Sequence, residues 1–281
     1  MLILCQILAG QAGPLSERVI FVAKKNGLEK LYICRPDGRD LRQLSHAPGR
    51  HGEPCFSEAL QRFFFTRPNG QRSDICSITR EGDDFRVEVN LKAQSQNPSI
   101  SPDGKTLVFS TNVWGAFELA QIDLRSKKLK RLTYDQSINT YPRYSPDGKQ
   151  IVFLSRKSGS SELYLLTDAQ SHSKRLTHST YSKGPASWSP SGHRLVATER
   201  VPLRSRRALF ELDLESGVKR YLLPKKRNID QANYSVDGAR VLFLENKKLQ
   251  TIDPADFKSF PFPLKGQLSP RDAIWVEFPF R

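Results

Sequence analysis

The side chains that could do chemistry in this chain are few and widely spaced. Of its five histidines, His46, His51 and His178 fall in comparable irregular stretches and are the candidate metal ligands. A metal centre needs three or four nitrogen, sulfur or carboxylate donors converging on one point, and nothing nearby supplies a carboxylate or a fourth ligand. No cofactor is therefore expected. The cysteines, Cys5, Cys34, Cys55 and Cys76, include no C-x-x-C pair, so the last three are read as buried thiols acting as small hydrophobes, with one disulfide left open. There is no G-x-S-x-G elbow and no H-E-x-x-H pair. The stretch Ser99-Ile-Ser-Pro-Asp-Gly-Lys-Thr106 approaches a phosphate-binding loop, but Ser99 replaces the first glycine and a strand-like segment follows where a helix is needed. It reads as a hairpin turn, whose Asp103, like Asp147 and Asp237, bonds its own turn backbone.

That turn recurs. EPCFSEAL at Glu53, NPSISPDGK at Asn97, YPRYSPDGK at Tyr141, GPASWSPSG at Gly184, QANYSVDGA at Gln231 and KGQLSPRDA at Lys265 align on a serine. Ser57, Ser101, Ser145 and Ser189 are spaced by 44 residues, Ser235 follows after 46, and Ser269 after 34. A period in the forties marks a repeat architecture. Within Arg143 to Thr177 an apolar segment enters a Pro-Asp-Gly turn, and QIVFLS, ELYLLT and KRLT follow as three further strand-length segments bounded by turn residues. Four antiparallel strands per repeat make one propeller blade. No window sustains the spacing of an amphipathic helix, so the chain is all-β.

The ends complete the ring. RVIFVAKKNGLEKLYICRPDGRDLRQLS near the N-terminus supplies second, third and fourth strands with no first strand ahead of them, and QLSPRDAIWVEF near the C-terminus supplies a first strand. The expectation is a six-bladed β-propeller of four-stranded antiparallel blades, closed by pairing of N- and C-terminal strands. It occupies 17–281 as a single domain, behind a signal-like or disordered segment at 1–16. Val19 to Ala23 and Ile274 to Phe278 both read as second strands, which leaves one strand surplus. A hydrophobic content of 38% over 281 residues is enough for a sizeable core.

The SPDGK turn, the ELYLLT-type third strand and the KRLT fourth strand resemble the TolB-like propeller repeat from Arg18 to Phe278. The resemblance implies a propeller fold and protein partners, such as envelope lipoproteins, engaged over one end of the ring. The same blades occur in propeller domains of prolyl-oligopeptidase-type proteases and in oligogalacturonate-type polysaccharide lyases, so the repeat is specific for fold and not for function. Those lyases are known for metal-bound histidines in the propeller mouth, which makes His46, His51 and His178 the ligands of an alternative reading, an enzyme acting on acidic sugars. The sequence holds no counterpart of TolB's N-terminal α/β domain or of a hydrolase domain.

Charge points to a binding face. Lys and Arg number 44 against 29 Asp and Glu, a formal net charge of +15. In a four-stranded blade the second-to-third turn and the connection to the next blade share one rim. That rim collects Lys24, Lys25, Arg50, Arg67, Arg72, Arg156, Lys157, Lys183, Arg200, Arg204, Arg206, Arg207, Lys225, Lys226, Arg227, Lys247 and Lys248, while the opposite rim is mixed. PLRSRR (Pro202 to Arg207) and KKR (Lys225 to Arg227) concentrate the excess, and Trp114, Tyr134 and Tyr181 stand among these cations as residue types that anchor interfaces. The partner expected is an envelope protein or an anionic polysaccharide, bound by a monomer without catalysis; nucleic acid is disfavoured for an exported chain. Export is expected because Leu2 to Leu8 is apolar and runs into Ala9-Gly-Gln-Ala-Gly13, a cleavage-like stretch, although no Lys or Arg stands near Met1. The location expected is periplasmic or secreted, or cytoplasmic if that segment is no signal, and no later segment reaches membrane-span length.

Overall fold

The computed structural model describes residues 17–167, 173–201, 206–223, 227–264, 268 and 270–277. The strands form six separate four-stranded antiparallel sheets. Blade one is Gly52–Ser57, Arg62–Asn69, Arg72–Thr79 and Arg86–Val89; blade two is Ser95–Ile100, Thr106–Trp114, Ala116–Asp123 and Leu129–Arg131. Blade three is Asn139–Tyr144, Gln150–Ser158, Ser160–Thr167 and Ser173–Arg175; blade four is Ser187–Trp188, Arg194–Arg200, Arg207–Asp213 and Lys219–Tyr221. Blade five is Ile229–Tyr234, Val241–Glu245, Lys248–Ile252 and Ser259–Pro261. Blade six joins the chain ends, with Pro270–Glu277 as first strand beside Glu17–Lys25, Leu28–Cys34 and Arg42–Gln43.

That closure corrects one expectation. Ile274 does not open a surplus strand: Pro270–Glu277 is a single strand whose whole length pairs with Glu17–Ala23. The sixth copy of the repeat is therefore centred on Asp272, 41 residues after Gln231, and not on Ser269, which lies outside the described residues.

The turns behave as their chemistry dictates. Ser101 and Ser145 donate to Asp103 and Asp147 at 2.6 Å, and each aspartate accepts the backbone N–H of Lys105 or Lys149. Asp237 is held in the same way by Ser235 and Ala239. These hydrogen bonds keep the Asp103 and Asp147 carboxyls below their ordinary range. The core lies between blades: Phe63 and Phe65 of blade one pack with Ile20, Val22 and Ile33 of blade six, and Phe64 packs with Leu107 and Phe109 of blade two. Each blade thus buries its two faces against its neighbours. Cys34, Cys55 and Cys76 are free thiols, and burial pushes them up to about 12, 11 and 12, which keeps them protonated and inert.

Candidate functional site: the axial channel and its cationic rim

The first strands neighbour one another around the axis. In blades one, two, three and five the pairing is irregular at the position four residues before the aligned serine, and in blade six it is irregular at Asp272. Register shifts fall at Gly52/Cys55, Gln96/Ser99, Thr140/Arg143 and Ile229/Ala232, and blade six shifts between Ile20 and Val22 opposite Asp272. These are β-bulges. Glu53, Asn97, Tyr141 and Asp272 occupy them with φ of 54°, 55°, 54° and 48°, a strained conformation for non-glycine residues that the surrounding bonds must hold.

Those bonds run from blade to blade. The Glu53 N–H donates to Asp272 Oδ2 at 3.3 Å, the Asn97 N–H to Glu53 Oε2 at 2.9 Å, and the Tyr141 N–H to Asn97 Oδ1 at 3.4 Å. Gln231 Nε2 donates to Asp272 Oδ1. The chain of bonds stops at Pro185, which has no N–H to offer and whose ring fixes φ near −65°. Blade four accordingly keeps only Ser187–Trp188 as first strand. Tyr141 and Pro185 line a cavity of about 460 Å³ at the mouth of the channel, where Lys24, Arg207, Lys247 and Arg271 face Glu29 and Asp272. Deeper in, burial raises the Glu53 carboxyl above its usual value against hydrogen bonds from Thr66 and Asn97, and burial with the Glu53 and Asp272 charges pushes the Tyr141 hydroxyl to about 12. The Glu53 and Asp272 carboxylates accept backbone N–H groups of the neighbouring blade.

The second-to-third hairpins and the interblade connections do share the rim on which this mouth opens. Lys24, Lys25, Arg72, Arg156, Arg200, Lys247 and Lys248 are exposed, and no ion pair involves them among the described residues. Arg50 is exposed but bound to Glu29 at 2.6 Å, Arg227 is paired with Glu245 at 3.2 Å, and Lys157 lies 3.8 Å from Asp135 with its ammonium over the Tyr164 ring. Arg206 and Arg207 are half-buried. Arg204, Lys225 and Lys226 lie outside the described residues, as do the signal-like segment and His172.

Two of the expected face residues are corrected. Lys183 has no exposed side-chain surface: it is clamped between Glu162 at 3.4 Å and Glu199 at 3.0 Å. Arg67 is turned inward onto the buried Asp74 at 2.8 Å. Arg67 precedes and Lys183 follows a third strand that carries a buried carboxylate near its start, Asp74 and Glu162 respectively, and a buried charge must find a counter-ion. Trp114, Tyr134 and Tyr181 are 37%, 60% and 40% exposed.

The histidines are not brought together. His46 and His51 belong to the connection from blade six to blade one, and His178 to that from blade three to blade four, across the ring. Among the described residues no group of three His, Cys, Asp or Glu side chains could hold a metal. His51 is fully buried against Phe65, with Nδ1 2.7 Å from Ser45 Oγ, and burial together with Lys30 lowers its pKa to about 4. Since the unfolded chain titrates near 6.5, His51 contributes stability above that pH that is lost as pH falls toward 4, about 3 kcal/mol at most. Urea unfolding midpoints should fall between pH 7 and 4.5, and a His51→Gln variant should lose that part of the pH dependence; an unchanged profile would assign the acid loss to other groups.

A closed six-bladed propeller whose bulged first strands surround a polar axial cavity is the class of molecule these features define. The chain belongs to the TolB beta propeller domain family, whose model matches residues 7–253. Among solved structures, TolB from Acinetobacter baumannii is similar at 24% identity and a TM-score of 0.80, over 97% of this chain and 69% of that one. The nidogen/laminin complex shares 8% identity with a TM-score of 0.76, over 92% and 98%. Oligogalacturonate lyase from Vibrio parahaemolyticus shares 13% with a TM-score of 0.62, over 86% and 73%. At such identities the likeness is one of fold. No helix among the described residues is long and apolar enough to cross a membrane.

The six axial residues, Glu53, Asn97, Tyr141, Pro185, Gln231 and Asp272, escape a reading by residue type because they are chemically unlike. Their signal is positional: each falls at one fixed place in the repeat, and three of them precede a proline.

Proposed function

We propose that this protein is a non-catalytic binding propeller of the bacterial cell envelope that engages an acidic protein or anionic glycan through its cationic rim. The observation that carries this reading is the pairing of two neighbouring hairpins, Lys24-Lys25 in blade six and Lys247-Lys248 in blade five, whose exposed ammonium groups flank the open mouth of the channel. Exposed like charges around a concavity concentrate a polyanion before any contact forms. Family membership and the signal-like run at Leu2 to Leu8 support the envelope location. The lyase reading gains no support, since its candidate histidines stand in opposed connections and one is buried.

Reversing Lys24, Lys25, Lys247 and Lys248 to Glu should weaken binding of polygalacturonate or of a polyglutamate peptide tenfold or more at low salt. The wild-type affinity should itself fall steeply with ionic strength, because exposed charges are screened over about 8 Å at physiological salt. These are exposed hairpin positions, so stability should change by less than about 0.5 kcal/mol each. Equal binding by the reversed protein and by a matched Lys127→Glu/Lys128→Glu control on the opposite rim would remove the rim from consideration.

A further inference from the structure

Away from the mouth, on the arc over blades two and three, the rim changes character. Val113 and Trp114 on the blade-two hairpin, and Tyr134 and Ile138 on the connection to blade three, are 38%, 37%, 60% and 42% exposed. Singly exposed apolar residues are ordinary, but four large ones on two abutting loops are not. They are held in place. The Arg131 guanidinium lies 5.1 Å from the Trp114 ring centre and 4.8 Å from that of Tyr134, and is itself fixed by Glu118 at 3.1 Å and the Thr133 carbonyl at 2.8 Å. The Tyr134 hydroxyl donates to the Arg131 carbonyl at 2.9 Å. On the far side the Arg156 N–H donates to the Ile138 carbonyl at 3.1 Å, which joins the blade-three hairpin and its exposed Arg156 and Lys157 to the same patch. The one acid of the connection, Asp135, already receives Asn139 Nδ2 at 2.7 Å and Lys157 at 3.8 Å.

We propose that this patch docks an acidic protein segment that carries an apolar anchor residue. The proposal rests on the reading of the rim as a face for anionic partners, and selects protein over glycan. Arginine between two aromatic rings, held rigid before binding, is the composition of an interface centre, where ordering costs are already met. The aliphatic side chains of Val113 and Ile138 offer a sugar nothing to hydrogen-bond, whereas they suit a Leu or Phe side chain. The exposed Arg156 then sets the preference for flanking Asp or Glu.

The test uses the whole protein and two 12-residue peptides, rich in Asp and Glu, with either Leu-Phe or Ser-Ser at the centre. The Leu-Phe peptide should bind at least tenfold more tightly, and Trp114→Ala or Tyr134→Ala should each remove most of that difference while Trp114→Phe keeps it. Circular dichroism will show the variants folded, since both side chains lie in surface turns. The Lys24, Lys25, Lys247 and Lys248 reversal should leave the Leu-Phe advantage intact. Failure of the rim reading appears separately, as polyanion binding indifferent to that reversal. Equal binding of the two peptides overturns the docking proposal. So does a Trp114→Ala variant that loses affinity for polygalacturonate or for a single-stranded oligothymidylate but not for peptide.

Discussion

A protein lacking Gln267 to Arg281 should not unfold cooperatively at all. Removing the strand Pro270–Glu277 strips the ladder partner from Glu17–Ala23 and leaves Val19, Phe21 and Ala23 beside an empty inner edge. It also deletes Ala273 and Trp275 from one core cluster and Val276 from the next. Trp275 packs edge-on to Phe262 at 6.5 Å and lies under the Arg240 guanidinium at 4.8 Å. Truncating such a residue alone costs about 3–5 kcal/mol, against a whole-domain stability of about 5–15 kcal/mol. Losing the strand also removes the Asp272 acceptor on which Glu53 and Gln231 depend. The expected result is a broad, non-sigmoidal thermal trace with dye-binding apolar surface, while Trp275→Ala keeps a sigmoidal transition shifted down. A truncated protein melting at the wild-type midpoint would show that the ring closes without its C-terminal strand.

What was legible in the sequence follows the range of the interactions concerned. Turn chemistry is local: Ser101, Asp103 and Gly104 fix one another within a few residues, so the comb of aligned serines and the four-strand blade could be read directly. Closure was legible too, except at the last copy. The Asp272 copy is not followed by a serine and an Asp-Gly turn as the Asn97 and Tyr141 copies are, so the cue that marks those first strands is missing there, and Ser269-Pro-Arg imitates it. The axial residues were illegible by type, because a bulge with a cross-blade acceptor can be built from Glu53, Asn97 or Asp272 alike. Lys183 and Arg67 were misplaced for a related reason. Charged residues in connections read as solvated, and only the tertiary approach of Glu162, Glu199 and Asp74 turns them inward.

Lys183 should accordingly be among the most costly single positions in the molecule. Its ammonium touches Glu162 of blade three and Glu199 of blade four, and it donates to Ser179 Oγ and the Tyr181 carbonyl at 2.6 Å each. Glu199 is also held by Lys219 at 3.0 Å and by Tyr221. Burial pushes the Glu199 carboxyl upward, but the hydrogen bonds from Tyr221, Lys219 and Lys183 outweigh it and bring the pKa down to about 2. A depressed carboxylate stabilises the fold above its unfolded value near 4.3, and that stability is lost as pH falls toward 2. Lys183→Met removes the shared cation from the interface where Pro185 already interrupts the axial bonds, leaving Glu162 and Glu199 less compensated. Breaking a buried pair in this way costs about 3–5 kcal/mol. The variant should unfold at a correspondingly lower urea concentration at pH 7, and its deficit should shrink between pH 4 and 2.5 as Glu199 protonates. Lys183→Met with Glu199→Gln should recover part of the loss at pH 7, because the uncompensated charge is then gone. Wild-type stability in Lys183→Met at neutral pH would mean that Lys219 and Arg175 satisfy both carboxylates without it, and that the clamp between blades three and four lies in packing alone.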